Sequence, residues 1–215
     1  NAKEYLVADP QAYQDIADSL KAGDIVTLAD GTWTDFQIAF SGQGTEDSPI
    51  TLQAETAGKV ILTGESNLRL AGEYLLVSGL FFKDGHSPSN AVIEFRQSKT
   101  QLASHSRVTQ TVVESFNNPE KFSAGNWVAL YGRYNRFDHN ALVGKSTSGV
   151  TMAVKLNTVE SQENHHRIDH NYFGQRPILG SNGGETLRIG TSHYSLSNSY
   201  TMIESNYFDR CNGEV

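Results

Sequence analysis

An internal repeat constrains this 215-residue chain more tightly than any other feature. Tyr74 to Phe82, Val108 to Val113, Asn135 to Leu142, His166 to Phe173 and Met202 to Phe208 resemble one another. Aligned on Gly79, Thr111, Asn140, Asn171 and Asn206, they recur with a period of about 30 residues, the range of a solenoid repeat. The last three copies share an apolar residue, two polar ones and then Asn. In a stack of coils, the apolar position becomes an interior column. The Asn becomes an amide ladder at a turn, each side chain bonding the next backbone. These segments are short, β-branched and aromatic with Asn at their centres, which suits strands and not helical repeats. A β-sandwich would accommodate the strands but does not predict the repeated Asn.

The rest of the chain agrees. Ala12, Ile16 and Leu20 fall at helical spacing, and Asp9-Pro10 reads as an N-cap followed by Pro in the first turn, so a helix is predicted from Pro10 to Leu20. From Ile25 onward the pattern is strands, among them Ile25 to Leu28, Phe36 to Phe40, Ile50 to Ala54 and Val60 to Gly64, each closed by Gly or a polar turn. The expected architecture is all-β: a right-handed parallel β-helix over residues 24–215, with residues 1–23 capping its open end. Cutting such a solenoid after Glu214 exposes the column of its final coil, including Ile203 and Phe208. Natural sequence beyond Val215 is therefore expected.

Glycine is plentiful (19) and proline scarce (5), consistent with short strands and tight turns. The net charge of -7 argues against nucleic acid as the main partner. An acidic polysaccharide stays compatible, because a local cationic cleft can act against an acidic average. No apolar run is long enough for a membrane helix. The single cysteine, Cys211, rules out an internal disulfide and reads as a buried filler.

The stretch Asn182-Gly183-Gly184-Glu185-Thr186-Leu187-Arg188-Ile189-Gly190 concentrates an amide, a carboxylate, a guanidinium and three glycines. On a strand, Thr186 and Arg188 share one face while Leu187 and Ile189 share the other. Such a face can take an anionic substrate and a cation. The plainer alternative is a turn entering a buried strand, with Arg188 solvated or paired with Glu185 or Glu204.

Several segments resemble polysaccharide lyase family 6, which includes alginate lyases and chondroitinase B. The matching residues are Gly23 to Trp33, Gly42-Gln43-Gly44-Thr45, Pro49 to Leu52, Val77 to Phe82, the Asn182 to Gly190 block and Cys211 to Val215. The resemblance implies a parallel β-helix and a Ca²⁺-assisted β-elimination on a uronate polysaccharide, in a secreted or periplasmic protein whose leader has been removed. It implies Asn182 and Glu214 as metal ligands, with a second Glu, a Lys base and an Arg acid falling beyond Val215. No catalytic residue is therefore expected within this chain, which alone should turn over little substrate.

The chemistry suits those residue types. Removing the C5 proton of a uronate adds charge beside a carboxylate that is already negative, which a hard cation offsets. Amide and carboxylate oxygens are Ca²⁺ ligands. Arg188, Tyr131 and Lys145 are the candidate substrate contacts. Arg188 could bind a carboxylate bidentately, Tyr131 could stack on a sugar ring, and Lys145 could line an anionic groove. For Tyr131 the alternative is a core aromatic; for Lys145, as for Lys155, it is a solvated amine. His139 and His170 share a repeat position, which stacking explains without chemistry, and His165-His166 reads as a polar coil edge. No spacing fits zinc. Alginate is the expected substrate, with dermatan second. The rival from another class is a non-catalytic carbohydrate-binding β-helix.

Overall fold

The computed structural model of the chain describes residues 1–178 and 184–212. Three sheets, every pair of neighbouring strands within them parallel, wrap around one apolar interior. Sheet I orders its strands Glu4–Val7, Ile25–Leu28, Ile50–Ala54, Leu75–Ser78, Arg107–Thr109, Arg136–Asp138, Arg167–Asp169 and Met202–Glu204. Sheet II is built on Gln37–Gln43, Asn67–Glu73, Ala91–Glu94, Asn126–Leu130, Met152–Val154 and Leu187–Ile189. Sheet III runs from Gly31–Thr34 through Val60–Glu65, Leu80–His86, Val112–Glu114, Ala141–Val143 and Tyr172–Phe173 to Tyr207–Phe208. Since the chain visits the three sheets in turn and each strand pairs with its counterpart a coil away, this is a parallel β-helix.

Strand alternation sends every second residue inward, and register stacks those residues into columns. Val26, Leu52, Val77, Val108, Phe137 and Ile168 are successive partners in sheet I and are fully buried. Ile38, Leu68, Ile93, Val128 and Met152 form the column of sheet II. Leu62, Phe82, Val113, Leu142 and Phe173 form that of sheet III.

The amide ladder is present. Thr111 N donates to Asn140 Oδ1 (2.8 Å), Asn140 N to Asn171 Oδ1 (3.0 Å) and Asn171 N to Asn206 Oδ1 (2.9 Å). One alignment needs correction. Phe81 pairs with Val112, so Leu80 and not Gly79 stands at the position of Thr111. Gly79 belongs one residue earlier, with Gln110, His139, His170 and Ser205, all of which have positive φ. This is the left-handed residue that turns the chain from sheet I to sheet III, a conformation glycine adopts without strain.

The N-terminal helix spans Pro10–Ala17, three residues shorter than the spacing suggested. Asp9 caps it by accepting from Ala12 N at 2.8 Å. Its buried Tyr13 packs edge-on against Phe36 and donates to Ala39 O, closing the end of the interior. The capping segment also contributes a strand, Glu4–Val7, paired with Ile25–Leu28.

Candidate functional site

The outward faces of the three sheets differ in chemistry. On sheet I, two arginines pair bidentately: Arg107 grips Asp138 through Nε and Nη2 (2.7 and 2.6 Å), and Arg136 grips Asp169 the same way (3.0 and 2.8 Å). Asp138 and Asp169 are buried. His139 and His170 stack with centroids 4.9 Å apart, each with Nδ1 on the neighbouring Asp at 2.7 Å, so the shared repeat position is a structural stack. His165 lies in a longer stack of rings, Tyr74, His105, Tyr134, His165 and Tyr200. His166 is not a polar edge: it is buried, its Nδ1 accepts from Asn135 N, and burial pushes its pKa down to about 3.

Sheet II presents a different surface. Arg69, Glu94, Ala129, Ala153 and Arg188 are successive register partners on its outward face. Two residues further along three of these strands come Arg96, Tyr131 and Lys155. The two alanines between the charged residues are buried. A groove of about 280 Å³ lies here, with Asn90, Glu94, Asn126, Tyr131 and Lys155 among its walls. Arg188 stands one coil beyond Ala153, half-exposed, with Nη1 4.0 Å from Glu185 Oε1. Burial lowers the pKa of Lys155, and the charges of Arg188 and Arg96 add to that shift. Arg69, Arg96, Lys155 and Arg188 thus lie along one face of a chain whose net charge is -7, with Lys155 and Glu94 the charged residues in the wall of the groove itself.

Two sequence candidates need correction. Lys145 does not line the groove. It is buried, and Nζ donates to the carbonyls of Thr147, Ser148 and Gly149 and to Thr147 Oγ1. Burial first, and the charge of Arg176 second, push its pKa down to about 7. Its role is to hold the 145–149 loop, where carbonyls replace water around the ammonium. Tyr131 does border the groove, yet it is only 6% exposed, and the guanidinium of Arg96 lies 3.9 Å from its ring centroid. The face meant for a sugar is covered by a cation. Sequence reasoning missed Arg96 and Glu94; the signal was there in their spacing, two residues apart on an outward-facing strand edge.

Asn182 and Glu214, the candidate metal ligands, lie outside the described residues. The segments that flank them are tied together by Arg176. Its Nη1 donates to Gly184 O and Glu185 O (2.8 and 2.9 Å). Its backbone N donates to Arg210 O, and its carbonyl accepts from Asn212 Nδ2. Glu185 Oε2 is buried and has no hydrogen-bond partner among the described residues. Among the described residues no group of three or more His, Cys, Asp or Glu is arranged to hold a metal. Cys211 is buried, as its surroundings in the sequence suggested.

The class is that of a parallel β-helix with a groove on the outer side of one sheet. Known proteins narrow the class. The sequence model of the family described as Chondroitinase B matches residues 7–215. The chain is 64% identical to a PL6 family alginate lyase, AlyGC, over 98% of its own length and 29% of that chain, with a TM-score of 0.96. A mannuronic acid specific family 6 lyase from human gut microbiota is 35% identical, covering 97% of this chain and 49% of that one, TM-score 0.90. The PL6 polysaccharide lyase Pedsa3628 from Pseudopedobacter saltans is 29% identical, covering 98% and 48%, TM-score 0.86. No curated protein matches. The chain belongs to polysaccharide lyase family 6. It spans less than a third of the first of these relatives and about half of the other two. No described helix is long and apolar enough to cross a membrane.

Proposed function

We propose that this chain carries the substrate groove, and part of a calcium site, of a lyase that cleaves alginate by β-elimination outside the cytoplasm. The observation that carries the reading is the cationic strip of sheet II. Arg69, Arg96, Lys155 and Arg188 give an acidic protein one face on which a polyuronate can lie. Alginate is preferred to dermatan because similar proteins are described as alginate lyases.

In this reading Arg188 and Lys155 bind and orient uronate carboxylates. Asn182 and Glu214 would hold Ca²⁺. Two features support that fit: the donors are all oxygens, and Glu185 Oε2, three residues from Asn182, is a buried oxygen lacking a partner among the described residues. Bound there, calcium supplies positive charge against the uronate carboxylate as negative charge builds at C5. In this reading neither the base that takes the C5 proton nor the acid that protonates the leaving oxygen is assigned to a residue among 1–215.

The test is to mix the full-length protein with alginate and Ca²⁺ and follow the ultraviolet absorbance of the new C4–C5 double bond. Absorbance that rises and is lost on chelation is expected. A full-length protein that binds alginate without generating the double bond is a binding module, and the lyase reading is then wrong.

A further inference from the structure

We propose that Arg96, and not Tyr131, is the residue that reads a uronate carboxylate at the Glu94 end of the groove, with Glu94 and Tyr131 acting as positioning residues for its guanidinium. The inference rests on the lyase reading and adds a specificity-determining contact to it.

A guanidinium has five N–H groups in a planar fork. Arg107 and Arg136, on sheet I, commit Nε and Nη2 together to one carboxylate. Arg96 commits only Nε, to Glu94 Oε1 at 2.8 Å. Its Nη1 and Nη2 make no hydrogen bond among the described residues, although the side chain is only 20% exposed. Arg107 and Arg136 close both arms of the fork although they are more exposed, 40% and 30%. Leaving one edge open keeps a bidentate carboxylate site available.

Two contacts fix the direction of that edge. The Tyr131 ring supports the guanidinium from below at 3.9 Å, which sets its plane. Glu94, itself only 10% exposed at its side chain, holds the Nε end. Preorganisation of this kind lowers the ordering cost of binding. Position completes the case. Glu94 and Arg188 are three register steps apart, roughly 14 Å at the usual strand spacing. A carboxylate held by Arg96 is therefore on a different sugar from one held by Arg188, so the pair measures the charge pattern along a chain. Lysine at position 96 could not do the same, lacking both the fork and the planar stacking surface.

Steady-state kinetics on the full-length protein test this, with alginate oligosaccharides as substrate and the double-bond absorbance as readout. Because the contact lies away from the reacting sugar, Arg96→Ala should raise KM at least tenfold while kcat stays within threefold, the pattern of lost uniform binding. Arg96→Lys should recover only part of the loss. Glu94→Gln should raise KM less than Arg96→Ala, since it keeps an acceptor for Nε. Thermal melts of all three variants identify any that do not fold, and the kinetic comparison is made on those that do. Wild-type protein that makes no unsaturated product overturns the lyase reading. Wild-type protein that turns over, with Arg96→Ala or Arg96→Lys keeping KM within twofold, overturns the present inference alone. A fall in kcat at unchanged KM also overturns it.

Discussion

Asn171 Oδ1 accepts the backbone N–H of Asn140 one coil away at 3.0 Å, and Asn140 does the same for Thr111 at 2.8 Å. Each Asn also returns a bond: Asn140 Nδ2 donates to Val108 O, and Asn171 Nδ2 to Phe137 O. The ladder therefore satisfies backbone groups at the tight turn between sheets I and III, where strand pairing is interrupted. Asn140→Ala strands two buried partners at about 1–3 kcal/mol each. A loss of about 2–6 kcal/mol is expected in urea unfolding, and a loss under about 1 kcal/mol would show that the ladder is ornamental.

The solenoid was legible because its two strongest requirements fall on named side chains. An interior column needs Val108, Phe137 and Ile168 about one coil apart, and the turn beside it needs Asn140 and Asn171 three residues after Phe137 and Ile168. The groove was only half legible. Arg188 stood out in a glycine-rich block, whereas Arg96 acquires its meaning from Tyr131, a residue 35 positions later that register alone brings alongside. Lys145 misled for a related reason. A lysine in a polar loop looks solvated, and nothing local shows that its own loop's carbonyls fold over it.

The buried His166 makes stability depend on pH in a window of its own. Burial holds its pKa at about 3, against about 6.5 in the unfolded chain. Between those values the unfolded state binds the extra proton. Its neutral form therefore contributes stability that is complete above about pH 6.5 and is lost at about 1.4 kcal/mol per unit as pH falls toward 3. His166→Asn, which keeps an acceptor for Asn135 N, should flatten urea-derived stability across that range. An unchanged slope would place the titration elsewhere.

A second acid-sensitive term comes from Asp169. The Arg136 fork, opposed by burial and reinforced by His170, holds this carboxyl below the usual range. The sign is that of a depressed carboxyl. The stability is present above about pH 4 and is lost as pH falls through the lower folded-state value. Asp169→Asn should lower stability at pH 7 and make the curve shallower below about pH 4, leaving the higher His166 window intact. Unfolding curves collected on both variants separate the two groups, and identical acid limbs for wild type and Asp169→Asn would remove Asp169 from the account.

Arg188 and Glu185 lie at the loose limit of an ion pair, 4.0 Å apart with Arg188 half-exposed. A pair so open contributes little to stability, so Arg188→Ala should leave the melting temperature nearly unchanged. Its effect belongs in binding. Losing a charged hydrogen-bonding contact of about 1.5–3 kcal/mol corresponds to a fall in kcat/KM on alginate oligosaccharides of about 10- to 150-fold. Salt offers an internal control, because screening weakens an exposed charge contact. Raising ionic strength should lower kcat/KM of the wild-type protein more than that of Arg188→Ala. If the variant instead loses stability and keeps its kcat/KM, Arg188 is a structural partner of Glu185 and the anion-reading end of the groove must be sought at Lys155.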